Sequence, residues 1–270
     1  MGKSVSGSLF ESLVRNSMTL ITDIDESESM VVHEGDMFAR AESGEKPQFK
    51  LELNDKDVIL EEMAELLRYP RLRLVKALYL NENSFGDDGV ELLAGTEALH
   101  RLDTLSLAEN KLTAKGMQSL AASPHLKNLR TLFLQHNALG AEAMKALAES
   151  ETLAHLNFLY LKANPLGPEG AVELARSPHL RHLTELYLDR THIGNEGLSA
   201  LCKSEIMLTV EKLTLPHCGL DDSAIDLLAD SDCLPNLVTI DLYRNRISQE
   251  TAQRLKQAPK LKRFKFLQVD

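Results

Sequence analysis

What this sequence is short of narrows it first. Tryptophan is absent and aromatic residues are only 5% of the 270, so any cluster of them carries information. The three cysteines, Cys202, Cys218 and Cys233, are too few and too irregularly spaced for a disulfide framework, and a reducing compartment is expected. Basic residues are outnumbered 30 to 40 by acidic ones, a formal net charge of −10. Nucleic acid is therefore not an expected partner, since phosphate contacts need a basic face. No apolar run approaches the roughly 20 residues of a membrane span. The start, Met1–Ser8, holds one lysine and no apolar block, unlike a secretory signal, so a cytoplasmic protein is expected. Phosphate loops and nucleophile elbows are also missing, so neither an enzyme nor a cofactor is expected.

What is present in abundance is leucine, at regular intervals. The stretch Leu129–Leu139 reads LxxLxLxxNxL, and the pattern returns every 27 residues without insertion. Its Asn position recurs at Asn83, Asn110, Asn137, Asn164, Thr191, Cys218 and Asn245. Three places earlier stand Leu80, Leu107, Leu134, Leu161, Leu188, Leu215 and Leu242, each with a Leu or Ile two residues before it. One period back gives Leu51 and Leu53, and one forward gives Leu267 and Val269, about nine strands in one register. A period of this length signals a solenoid. Each Leu-x-Leu fits a short strand that turns both leucines to one face. The Asn amide both donates and accepts, which suits the turn leaving the strand.

The second half of each repeat reads as a helix. Gly86, Thr113, Gly140, Gly167, Gly194, Asp221 and Ser248 form a column of acceptable N-caps. Pro168 fits a first helical position, and Glu142, Glu169, Glu196 and Glu250 fall where the helix dipole favours a negative charge. Leu-Ala pairs such as Leu147-Ala148 and Leu174-Ala175 supply an apolar stripe with a small neighbour, and Pro70, Pro124, Pro178 and Pro259 mark the ends. In the last repeat Lys256 replaces the small residue, as expected of a terminal unit.

The motif LxxLxLxxNxL followed by LGxxGxxxLA, as in Leu166–Ala175, resembles the leucine-rich repeat. The subtype looks like the helix-bearing class of ribonuclease inhibitor and the GTPase-activating protein of Ran. The resemblance spans roughly four fifths of the chain. It implies an α/β solenoid, a right-handed horseshoe with a parallel sheet on the concave side and helices outside. The alternating repeat lengths and abundant cysteines of ribonuclease inhibitor are missing. Two domains are expected: residues 49–270 as the repeat domain and residues 1–48 as an acidic arm or cap. The latter carries nine acidic and four basic residues. Its apolar clusters Leu9–Val14 and Met18–Thr22 fit a short helix and a strand. Gly2 with Ser6 matches the brief N-myristoylation pattern, whereas Asp23–Glu26 lacks the glycine and final glutamate of a calcium loop.

Function is expected on the outward strand positions. Between the leucines lie Phe133, Tyr160 and Tyr187 on successive strands, with Phe158 two residues from Tyr160. Strands are about 4.8 Å apart, so these rings should form one patch. Lys162, Asp189, Arg190, Tyr243 and Arg244 follow along the strands as a mixed-charge rim. The expectation is a non-enzymatic, protein-binding module. The alternatives are a GTPase regulator acting on a small GTPase through Arg190 and Arg244, or an effector delivered to a host cell. His136 and His217 lie three repeats apart, and His155 and His182 occupy adjacent repeats without a third ligand, so no metal site is expected. Cys202 and Cys218 read as core. The basic tail Arg254, Lys256, Lys260, Lys262, Arg263 and Lys265 reads as a solvated cap or a docking site for an acidic surface.

Overall fold

A computed structural model describes residues 5–21 and 48–269, with side chains from residue 10 onward. Gly2 and Asp23–Glu26 lie outside the described residues.

Helix α1 (Val5–Asn16) and strand β1 (Met18–Leu20) precede the repeats. Strand and helix then alternate as β2 (Phe49–Glu52), α2 (Leu60–Leu66), β3 (Val75–Tyr79), α3 (Gly86–Ala94), β4 (Thr104–Ser106) and α4 (Ala114–Ala121). The series continues through β5 (Thr131–Phe133), α5 (Ala141–Ala148), β6 (Phe158–Tyr160), α6 (Gly167–Ala175), β7 (Glu185–Tyr187) and α7 (Gly194–Leu201). It closes with β8 (Lys212–Thr214), α8 (Ser223–Ala229), β9 (Thr239–Asp241), α9 (Gln249–Gln253) and β10 (Phe266–Gln268). Among the described residues ten strands form one sheet in chain order. Strand β1 runs antiparallel to β2, and every later pair is parallel.

The register equals the sequence period. Leu105, Leu132, Leu159, Leu186, Leu213 and Ile240 stand side by side across the sheet, each fully buried. Burying one such side chain is worth about 2 kcal/mol, and the repetition builds a continuous core between sheet and helices. Phe10 and Val14 of α1 join that core at one end. At the other end Leu267 and Val269 are only half-buried.

The Asn column is a buried ladder between repeats. The Asn137 amide donates to the Leu107 and Leu134 carbonyls at 3.0 and 2.9 Å. Its oxygen accepts the Asn110 and Leu112 N–H groups at 3.1 and 2.9 Å. Thr191 and Cys218 keep a single donor each, and both direct it to the Leu188 carbonyl.

A second ladder was not read from the sequence. The hydroxyls of Ser123, Ser150, Ser177, Ser204 and Ser231 donate to the carbonyls of Ala94, Ala121, Ala148, Ala175 and Cys202. Each serine thus satisfies an orphan carbonyl at the end of the preceding repeat's helix.

The expected N-cap column is corrected in part. Thr113, Gly140 and Ser248 are N-caps, and the Thr113 and Ser248 hydroxyls accept from Lys115 and Thr251 N–H. Gly86, Gly167 and Gly194 instead begin their helices, with φ of 64°, 64° and 58°. Glycine stands there because the chain enters the helix through the left-handed region. Asp221 lies one residue before the cap Asp222, and its carboxylate accepts the Ser223 N–H at 3.0 Å.

Part of the basic tail is engaged within the chain. Arg263 pairs with Glu211 at 3.1 Å and Lys260 with Asp232 at 2.9 Å, while Arg254 meets Asp226. These pairs are exposed and contribute little each.

Candidate functional site

Strands stack about 4.8 Å apart, whereas packed helices need 8–10 Å. The sheet therefore takes the inner arc of the solenoid, and its face away from the helices is the concave one. Four columns of that face carry the sequence-predicted residues.

Phe133, Tyr160 and Tyr187 are in register on β5, β6 and β7. Their rings stack, with centroids 4.3 Å apart for Phe133–Tyr160 and 4.0 Å for Tyr160–Tyr187. The strand spacing places the rings close to stacking distance, so each half-buries its neighbour. Burial, foremost, holds the Tyr160 hydroxyl well above the usual phenol range and pushes Tyr187 up to about 12, with a hydrogen bond to Glu185 adding to the latter. Both are neutral donors at physiological pH. Phe158, half-buried on the same strand as Tyr160, joins no ring stack among the described residues.

The rim residues divide into two groups. Lys162 and Asp189 are half-buried in the next column, and Asp189 accepts the Thr214 hydroxyl at 2.6 Å. Arg190 is exposed beside them. Tyr243 and Arg244 lie beyond β9, where the guanidinium sits 5.3 Å over the ring. Thr214 and Asp241 separate this pair from the aromatic stack. Glu109, His136, Arg190, His217 and Arg244 share a left-handed backbone, φ 54° to 57°. The repeated turn thus holds this whole rim column in one conformation.

Two contributors were missed. Lys212 places its ammonium 4.9 Å from the Tyr187 ring centroid, and Glu185 accepts the Tyr187 hydroxyl while pairing with Lys212 at 3.8 Å. Both stand in the column just before the first leucine. A 27-residue comparison of that column would have exposed their opposite charges.

The remaining candidates show no convergent chemistry. The rings of His155 and His182 are 5.6 Å apart and exposed. Among the described residues no group of three or more His, Cys, Asp or Glu is placed to hold a metal. Burial pushes the Cys202 thiol up to about 12 and Cys218 to about 11. Burial, with Asp232 and Glu205 adding, also raises the half-buried Cys233. A raised pKa shrinks the reactive thiolate fraction. At pH 8, dithionitrobenzoate is expected to modify only Cys233 in the native protein, and slowly, with all three reacting once it is unfolded. Rapid reaction of two or more native thiols would contradict this burial.

This arrangement defines a leucine-rich-repeat protein with an α/β solenoid fold. The family model described as "Leucine Rich repeat" matches residues 72–94, 100–121, 125–148 and 179–202. No curated protein matches the sequence. Among solved structures, the chain resembles an internalin (inlF) from Listeria monocytogenes, with a TM-score of 0.52 at 18% identity. That match covers 80% of this chain and 56% of the internalin chain. Among the described residues no helix is long and apolar enough to cross a membrane.

Proposed function

We propose that this protein is a non-enzymatic interaction module that binds a protein partner on its concave sheet face. Leucine-rich-repeat domains generally mediate protein–protein interaction, and extended concave surfaces are what such solenoids offer. The observation that carries the reading is the Phe133–Tyr160–Tyr187 stack, in a chain with 5% aromatics. The stack supplies a rigid apolar centre of the kind that dominates interface energetics. Phe158 extends it along β6, and Lys162, Asp189, Arg190, Tyr243 and Arg244 supply the polar surround that sets orientation. Residues 1–48 act as a cap in this reading, supported by β1 pairing with β2 and by buried Phe10 and Val14. Three unpaired thiols support a cytoplasmic setting. Strand–helix repeats support the ribonuclease-inhibitor-like subtype.

The test is a pull-down with wild-type protein and a Phe133→Asp/Tyr187→Asp variant, matched for folding by circular dichroism. Each anchor is expected to be worth about 2 kcal/mol of binding, so partners held by wild type should be lost from the variant. Identical partner sets on both baits would overturn the concave reading.

A further inference from the structure

We propose that the notch between Tyr187 and Asp241 receives an arginine side chain of the partner. This inference rests on the concave-face reading and adds the chemistry of its guest.

Tyr187 is the last ring of the stack. One face lies against Tyr160, 4.0 Å between centroids. On the next strand, β8, the register partner of Tyr187 is Thr214, buried and too short to cover a ring. On the strand after that stands Asp241. Two strand spacings separate Tyr187 from Asp241, about 9.6 Å. A planar group needs about 3.5 Å on each side, so one guanidinium fits the gap.

The charges around the notch favour a cation. Glu185 and Asp189 act on Tyr187, and Asp189 and Lys212 act on Asp241, so the groups bordering the notch are three acids and one base, with Lys162 and Arg190 beside Asp189. Asp189 accepts the Thr214 hydroxyl at 2.6 Å and Asp241 accepts the Tyr243 N–H at 2.9 Å, both neutral donors. Burial first, and then the nearby Asp189, raise the Asp241 carboxyl above its ordinary range. The Tyr187 ring already attracts a cation, because the Lys212 ammonium hovers 4.9 Å from its centroid. That ammonium is shared with Glu185 at 3.8 Å and is a point charge on a flexible stem. A guanidinium does both jobs at once: it stacks flat on the ring and donates in a planar fork to carboxylates.

The experiment uses the intact protein and small probes, so it needs no partner. N-acetyl-arginine N-methylamide, its lysine counterpart and the neutral citrulline isostere are titrated at low ionic strength while the tyrosine ring resonances are followed by NMR. The arginine probe is expected to shift Tyr187 and to bind about tenfold more tightly than citrulline, the order of a charge-assisted pair. Asp189→Asn/Asp241→Asn should bring arginine down to the citrulline level, and Lys212→Ala should tighten arginine several-fold by removing the resident cation.

Equal binding of arginine and citrulline, or indifference to the Asp double variant, would overturn the proposal. Equal binding of lysine and arginine would reduce the notch to a plain anionic patch and overturn it as well. If the probe binds while partners survive Phe133→Asp/Tyr187→Asp, both the concave reading and the partner-arginine proposal fail, because that variant removes the Tyr187 wall of the notch. If partners are lost with that variant while the probe fails to bind, the notch alone fails.

Discussion

Replacing Asn137 with alanine is expected to lower the unfolding free energy by about 4 kcal/mol, from several buried groups at about 1–3 kcal/mol each. The side chain meets five backbone groups at once: the carbonyls of Leu107, Leu134 and, at 3.3 Å, Gln135, and the N–H groups of Asn110 and Leu112. All belong to the turns that leave β4 and β5, and Asn110 is fully buried. Alanine reaches none of them, and the packed leucine columns on either side leave little room for water. Asn137→Asp should be no better, because a carboxylate keeps the acceptor but sets negative charge against the carbonyl oxygens that the amide served. Asn137→Thr should lose about half as much. It retains a single donor, as Thr191 does toward the Leu188 carbonyl. Urea unfolding gives the loss, and hydrogen exchange should localise it to amides of β4, β5 and their turns. A change below about 1 kcal/mol for alanine, the net worth of one ordinary hydrogen bond, would refute the ladder as a stabilising element.

Gly197→Val is expected to cost about 3 kcal/mol through overpacking, although valine has the higher helix propensity. An added Cβ at Gly197 in α7 would lie 2.7 Å from the Ala171 Cβ in α6 and 2.9 Å from the Ile193 Cβ. Neither neighbour is the loose end of a flexible chain, so relief requires α6 and α7 to move apart. That movement would disturb the serine contact between these repeats, Ser204 to the Ala175 carbonyl. The same column holds Ala143 and Ala224, both fully buried. Ala143→Gly is therefore the control and should cost only about 1 kcal/mol, the propensity difference. Thermal or urea unfolding checks both. A Gly197→Val protein as stable as wild type would mean that the helices are not held at this separation.

The two variants probe features that differed in how readily the sequence disclosed them. The Asn column stood out because one polar residue recurs inside an apolar frame, and burial of an amide demands partners. The glycine of LGxxGxxxLA was visible as a letter, but its reason was not. Helix separation is set by side chains from neighbouring turns, such as Ala171, that lie 26 residues away from Gly197. The serine ladder was overlooked because serine is unremarkable in a loop, and only its position beneath a helix end gives the hydroxyl a carbonyl to bond.

By itself the sequence determined the repeat, the strand register and the adjacency of Phe133, Tyr160 and Tyr187. With no insertion over the repeats, residue i and residue i + 27 must become neighbours in the sheet, and alternation then assigns each side chain to a face. Tertiary structure alone decided what lies across the columns. It set Lys212 over Tyr187, tied Glu185 to the same ring and left Phe158 out of the stack. It also brought β1 antiparallel onto β2 across an intervening stretch with no period to read. The physical reason is the same in each case. Periodicity fixes which backbones meet, whereas rotamers, ring orientation and charge pairing depend on the neighbours that only the folded chain supplies.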